Sequence, residues 1–303
     1  MTRGWGNYVT TLALRGWNFV TVDTMGGGFY LESLAKYAAF ISNPFLAGRN
    51  GHRDPGISLP DGGADNLSEI TVRIRRMDGE SLVIHHALQM AEVFFRVDPS
   101  AVGPNAYDQR VLVSCPDRIT EEDIHAINGT MAARSPLKAW QALIRAGPVP
   151  WLAALDPSWD LLQLSDTEWG DLDVEQRLHA AFQAVFGPYR RLAVVTKVLY
   201  MKRPRLVPVC DSFVLHQLGA PPGTDGDPRR SAAVIGHLRR EGQGNVDALV
   251  AIQDRLRREN GVYPSPLRIF EALIWQSHPD TWYQKLAPLI STWLGSRTPG
   301  EEP

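Results

Sequence analysis

Most of the chain follows the three-to-four-residue rhythm of amphipathic helices rather than strict alternation. From Ile84 to Phe95 the apolar positions fall at Leu88, Ala91 and Phe95. Val174 to Phe186 is amphipathic and stops at Gly187-Pro188, and Leu192 to Met201 is apolar enough for a buried helix halted by Pro204. Val209 to Leu218 closed by Gly219, Asn245 to Glu259, and Leu267 to Trp275 complete the predicted helices of the second half. Two starts carry cap chemistry. Thr120-Glu-Glu-Asp and Ser165-Asp-Thr-Glu each place a hydroxyl where it can accept from an amide of the first turn, and acids where the positive end of the helix dipole favours them. A short helix bearing Trp140 and Leu143 is expected after Ser135-Pro136. The one alternating stretch, Thr71-Val-Arg-Ile-Arg, predicts a short strand.

Helices dominate this reading, so the expected fold class is mainly α, an orthogonal helical bundle with at most a short β-element near 70–75. Residues 1–67 are rich in Gly, Asp and Pro with short apolar pieces between, and read as a loosely ordered extension with one amphipathic helix over 29–45. The helical domain is expected over 68–296, with a sub-boundary near 147–157 where Pro148, Pro150 and Pro157 break the chain. Residues 297–303 read as a tail.

Composition narrows the functional classes. The 303 residues are 44% hydrophobic and 21% charged with a formal net charge of -2, so the whole molecule exerts no pull toward polyanions or membranes. No apolar run reaches the roughly 18 residues of a membrane helix. Cys115 and Cys210 are the only cysteines and have no CxxC spacing, so neither a disulfide scaffold nor a cysteine zinc site is expected. The expected compartment is the cytoplasm. Gly26-Gly-Gly lacks the GK[ST] of a phosphate loop, and no GxSxG, HExxH or DxDxDG pattern occurs, so no metal and no cofactor is expected. His85-His86 reads as a polar helix start. Asp108, Asp123, Asn128 and Arg134, and Trp275 with His278, read first as structural residues.

Charge is distributed unevenly. Gln176 to Cys210 contains no acid but seven cations, and Tyr189 to Arg258 carries thirteen Lys and Arg against six Asp and Glu. Such a field suits a polyanion face, because neutralising phosphates releases condensed counterions. Arg190, Arg191, Lys202, Arg203 and Arg205 are the expected phosphate contacts, and Tyr189 and Tyr200 are placed to stack on bases. Within this stretch Lys197 lies on an apolar helix and Asp211 opens the next one. A partly buried lysine has its charge disfavoured, and a neutral amine is a nucleophile, so Lys197 and Asp211 are the expected catalytic pair.

Thr196-Lys197 and Val207-Pro208-Val209-Cys210-Asp211 resemble the helix-hairpin-helix DNA glycosylase superfamily. That resemblance implies a lysine that attacks the sugar and an aspartate that stabilises the developing charge. Tyr189-Arg-Arg-Leu-Ala-Val-Val stands where a Gly-x-Gly turn is expected, and no cysteine cluster follows. A broader resemblance spans about 70 to 280: Tyr107-Asp108, Arg118 to Asn128, Arg134-Ser135, Lys202-Arg-Pro204, Asp211-Ser212 and Leu273 to His278 are similar to an uncharacterised domain family of high-GC Gram-positive bacteria. It implies a helical fold and no particular activity. The reading is therefore a helical protein that binds DNA, in the manner of a divergent DNA glycosylase. The alternative is a non-enzymatic interaction module whose basic face docks on an acidic protein partner.

Overall fold

A computed structural model describes residues 70–96, 107–108, 111, 114–131, 133–260, 264–281 and 284 of the chain. The expected extension at 1–67, its helix at 29–45 and the tail at 297–303 lie outside them. The described residues all belong to one compact unit, residues 63–303. The proline-rich stretch at 148–157 is inside that unit.

The fold is mainly helical, with a short β-element. That element is a hairpin of β1 (Val72–Arg75) and β2 (Ser81–Ile84), paired antiparallel with Val72 opposite Ile84 and Arg75 opposite Ser81. Val72 and Ile74 face the core while Arg73 and Arg75 face out, the period-2 pattern of a half-buried strand. The free edge of β1 is covered. Asn245 accepts from the Arg73 amide at 3.0 Å and donates to its carbonyl at 2.7 Å, and Glu241 accepts from the Arg75 amide. The second strand takes the residues from Ser81 to Ile84, so the helix expected from Ile84 begins only at Ala87.

The helices follow in chain order: α1 (Ala87–Arg96), α2 (Glu121–Met131), α3 (Gln141–Ala146), α4 (Pro150–Ala153), α5 (Asp166–Asp171), α6 (Val174–Val185), α7 (Leu192–Lys202), α8 (Ser212–Gln217), α9 (Pro228–Gln243), α10 (Val246–Asn260) and α11 (Pro266–Gln276). Their starts have chemical causes. Ser165 and Glu168 form a reciprocal capping box on α5, and Asp227 with Pro228 opens α9. Ser265 accepts from the Arg268 amide at the start of α11. Thr120 and Asp123 exchange bonds at the start of α2.

α6 packs along α9, α10 along α11, and α1 lies against both α10 and α11. α7, buried along most of its length, touches α2 on one side. α8 rests on α11. The core runs unbroken from Val72 in the hairpin to Ile274 in α11. At Gly242 α9 comes so near its neighbours that a Cβ would stand 2.5 Å from Leu162 Cδ2. Gly219 has φ +62° beside the Asp78 carboxylate, where the hairpin meets the end of α8.

Candidate functional site

α7 and α8 are joined by a turn at 204–206 and a buried, non-helical stretch at 206–210. Thr196 Oγ1 donates to the Leu192 carbonyl one turn back and accepts from the Cys210 amide at 3.0 Å, so a hydroxyl on α7 holds the backbone at Cys210 against the helix. The stretch before Asp211 is not helical, and α8 starts at Ser212 rather than near Val209 as its apolar spacing suggests. Asp211 is the hinge. Its Oδ1 accepts from the amides of Phe213 and Val214, and its Oδ2 accepts from Trp275 Nε1 at 2.9 Å. Three donors thus hold the carboxylate in one orientation.

Lys197 lies on α7, one residue beyond Thr196 and half-buried like Asp211. Its amine donates to the Met131 carbonyl at 3.1 Å. Burial lowers the pKa of Lys197, opposed first by the charge of Asp211 and then by that of Glu271. The structure thus brings the expected pair into one electrostatic locus. The two side chains make no direct ion pair.

The expected phosphate contacts are placed differently from one another. Lys202 is buried, and its amine donates to Asp123, to Ser114 Oγ at 2.7 Å and to the Cys115 carbonyl at 2.8 Å, which uses all three N–H groups. Burial lowers its pKa against the bond to Asp123. Arg203 is also buried and donates to the carbonyls of Leu155, Pro116, Lys202 and Leu152. These two side chains tie the end of α7 to distant loops and face inward. The remaining three are nearer the surface. Arg205 makes two bonds to Asp160, Arg191 stands 3.7 Å from Asp225 at 66% exposure, and Arg190 lies over the Trp140 ring at 5.7 Å. Tyr189 is 70% exposed and holds φ +62°, a left-handed backbone that a glycine would adopt more easily, in the turn bridged by Gly187 and Arg190. Tyr200, by contrast, is buried and stacks on Tyr107 at 5.4 Å.

Next to Lys197 is a buried group of charges that pattern reading did not single out. Arg268 Nη1 donates to Glu271, and its Nε donates to Asp108 Oδ2 at 3.2 Å, at 1% and 4% side-chain exposure for Arg268 and Glu271. Arg268 lies over the rings of Tyr200 and Phe94 at 5.4 and 5.7 Å. The Tyr107 hydroxyl donates to the Lys197 carbonyl. Burial pushes the Glu271 carboxyl up to about 7 against the pull of Arg268, and raises Asp108 in the same way. Burial works against the Arg268 charge, but Asp108 and Glu271 outweigh it and its pKa rises. Asp108 Oδ1 and Arg268 Nη2 are buried without hydrogen-bond partners. The sequence did hold a signal: Arg268 and Glu271 are opposite charges at i, i+3 inside an otherwise apolar helix.

Among the described residues no group of three or more His, Cys, Asp or Glu is placed to hold a metal ion, and no helix is long and apolar enough to cross a membrane. Cys115 is half-buried and Cys210 buried, both free.

No curated protein and no solved structure matches this chain. A family model does match, over residues 87–278, and that span contains Asp108, Lys197, Asp211, Arg268 and Glu271 while leaving out the β-hairpin. Since the match covers more than half of the chain, the protein belongs to the DUF6308 family, a family of unknown function.

Proposed function

We propose that the protein is an enzyme acting on a nucleic-acid base or its sugar, with Lys197 as nucleophile and Asp211 as the charge that stabilises the transition state. The observation that carries this reading is the Lys197 amine, which burial drives toward its neutral form beside a carboxylate held by three donors. Both side chains are half-buried, so neither is sealed in the core.

In the proposed reaction the neutral amine attacks C1′ of a nucleotide as the glycosidic C–N bond breaks. The base leaves with that electron pair and takes up a proton. The amine then passes a proton to the ring oxygen as the C1′–O4′ bond opens, leaving an iminium that water hydrolyses to free lysine. Positive charge grows on the sugar before the new bond is complete, and a fixed carboxylate stabilises it most at that stage. A base must leave the stack for this chemistry, which costs least in single strands and mismatches. Tyr189, Arg190, Arg191 and Arg205 are the groups on the surface that would hold such a strand.

Borohydride reduces an iminium to a stable amine, so incubation with abasic-site DNA and borohydride is expected to yield a covalent protein–DNA adduct. Lys197→Ala abolishes it, and Asp211→Asn lowers its rate by about two orders of magnitude, the loss typical of one electrostatic group. Absence of the adduct with the unmodified protein, or its persistence in Lys197→Ala, would overturn the assignment. DNA binding without an adduct would leave a binding protein with no lysine chemistry.

A further inference from the structure

Asp211 opens α8 with a carboxylate whose two oxygens are occupied unequally. Oδ1 accepts from the Phe213 amide at 2.9 Å and the Val214 amide at 3.1 Å, which is the chemistry of a helix cap. Oδ2 accepts from Trp275 Nε1 at 2.9 Å. A carboxylate has about four acceptor positions, two on each oxygen. Among the described residues these three donors fill all but one, and the open position is on Oδ2. The cap holds only the other oxygen, so the place of the indole N–H decides which side of Oδ2 stays open.

Several contacts hold the indole itself. Trp275 lies half-buried in the last turn of α11, beside Phe94 of α1 and Phe213 of α8, each with ring centroids 6.1 Å away. Phe213 in turn stacks on His278 at 4.2 Å. Gln217, at the end of α8, donates to Ser277 Oγ at 2.8 Å, just past the end of α11. About two turns before Trp275 on the same helix, Arg268 lies over the Tyr200 ring, one turn beyond Lys197 on α7. One helix therefore touches both the element that carries Lys197 and the one that Asp211 opens. Thr196 and Cys210, the chain neighbours of Lys197 and Asp211, are joined to each other at 3.0 Å. A phenyl ring at position 275 would meet the same aromatic neighbours, but it would leave both positions of Oδ2 open.

We propose that Trp275 is a positioning residue of this site: its N–H fixes the open acceptor position of Asp211 Oδ2 where it meets the positive charge that develops at C1′. The proposal rests on the reading of Lys197 as nucleophile and Asp211 as its electrostatic partner. A group already oriented costs no reorganisation when charge develops, whereas an oxygen hydrated on both sides must shed and turn water at that moment. Trp275 acts only through Asp211, so its contribution belongs to the rate of the step and not to the binding of DNA.

The rate of borohydride-trapped adduct formation at saturating abasic-site DNA tests this in a cycle of the unmodified protein, Trp275→Phe, Asp211→Asn and the double variant. Trp275→Phe is expected to slow the step about tenfold, the loss typical of one hydrogen bond to a charged group, with DNA affinity unchanged. In the Asp211→Asn background the same substitution is expected to change the rate by less than about twofold, because the charge through which it acts is gone. Equal fold losses in both backgrounds, or weaker affinity at an unchanged rate, would reduce Trp275 to a packing residue. Should Trp275→Phe not fold, replacement of Trp275 by benzothienylalanine keeps the fused rings and puts sulfur in place of the N–H. The same tenfold loss is then expected at about that size, and an undiminished rate contradicts the proposal. Absence of adduct with the unmodified protein fails the lysine reading and takes this proposal with it, whereas an adduct with equal losses removes the positioning role alone.

Discussion

At the scale of single residues, Lys202 shows why a charge count along the chain does not reveal a surface. It belongs to a stretch without a single acid, yet its carboxylate partner comes from Asp123, 79 positions away. Side chains of both are essentially unexposed, at 0% and 2%. A buried ion pair adds little net stability, but removing one member strands the other in low dielectric. Lys202→Met is therefore expected to lower unfolding free energy by about 3–5 kcal/mol. Asp123 also accepts from the Thr120 amide and Ser114 Oγ, and asparagine can keep part of that role. The double variant Lys202→Met with Asp123→Asn should recover part of the loss, since it leaves no unpaired charge. Urea titrations of the three proteins test this, and a double variant no better than Lys202→Met would contradict it. Glu271 and Arg268 teach the complementary lesion of pattern reading. They sit in an otherwise apolar helix, and the second carboxylate that meets Arg268 comes from Asp108, 160 positions away.

Between elements, the decisive contact is a hydroxyl. Thr196 supplies the acceptor that the non-helical stretch at 207–210 would otherwise lack, which lets a buried backbone amide at Cys210 be satisfied. Apolar spacing predicts a helix starting near Val209, but Asp211 caps the helix later, at Ser212. Thr196→Val keeps the shape and removes the acceptor. It is expected to cost about 1–3 kcal/mol, the penalty of an unsatisfied buried amide. Thr196→Ser retains the oxygen and should cost less. Thermal unfolding of both variants decides the matter: a larger loss in Thr196→Ser than in Thr196→Val would mean the methyl packing, not the hydrogen bond, does the holding. The same principle explains the end of the hairpin, where Met77 donates to the Leu218 carbonyl and a strand pair missed in part by the alternation test is fixed to α8.

Over the whole molecule, the division of charge along the chain is real but does not become one outward face. Arg203 gives its donors to the carbonyls of Pro116, Leu152 and Leu155, while Arg191 and Arg205 remain 66% and 56% exposed near single acids. Exposed ion pairs of that kind contribute about 0–1 kcal/mol. Arg191→Glu with Arg205→Glu is therefore expected to leave the melting temperature nearly unchanged while weakening DNA binding and flattening its salt dependence. Arg203→Glu should instead lower stability sharply, because it buries a repelled acid among carbonyl oxygens. Melting curves and binding isotherms at two salt concentrations separate these outcomes. A melting temperature insensitive to Arg203→Glu would contradict the interior placement. The sequence by itself determined the helical class and most helix starts and stops, α9 excepted, because periodicity and capping are local properties that short stretches of chain express alone. Which cations turn inward, where α8 begins, and which carboxylates come to meet Arg268 were decided only by tertiary structure. Those outcomes depend on partners many turns distant, and burial changes the worth of a charge far more than its neighbours in sequence do.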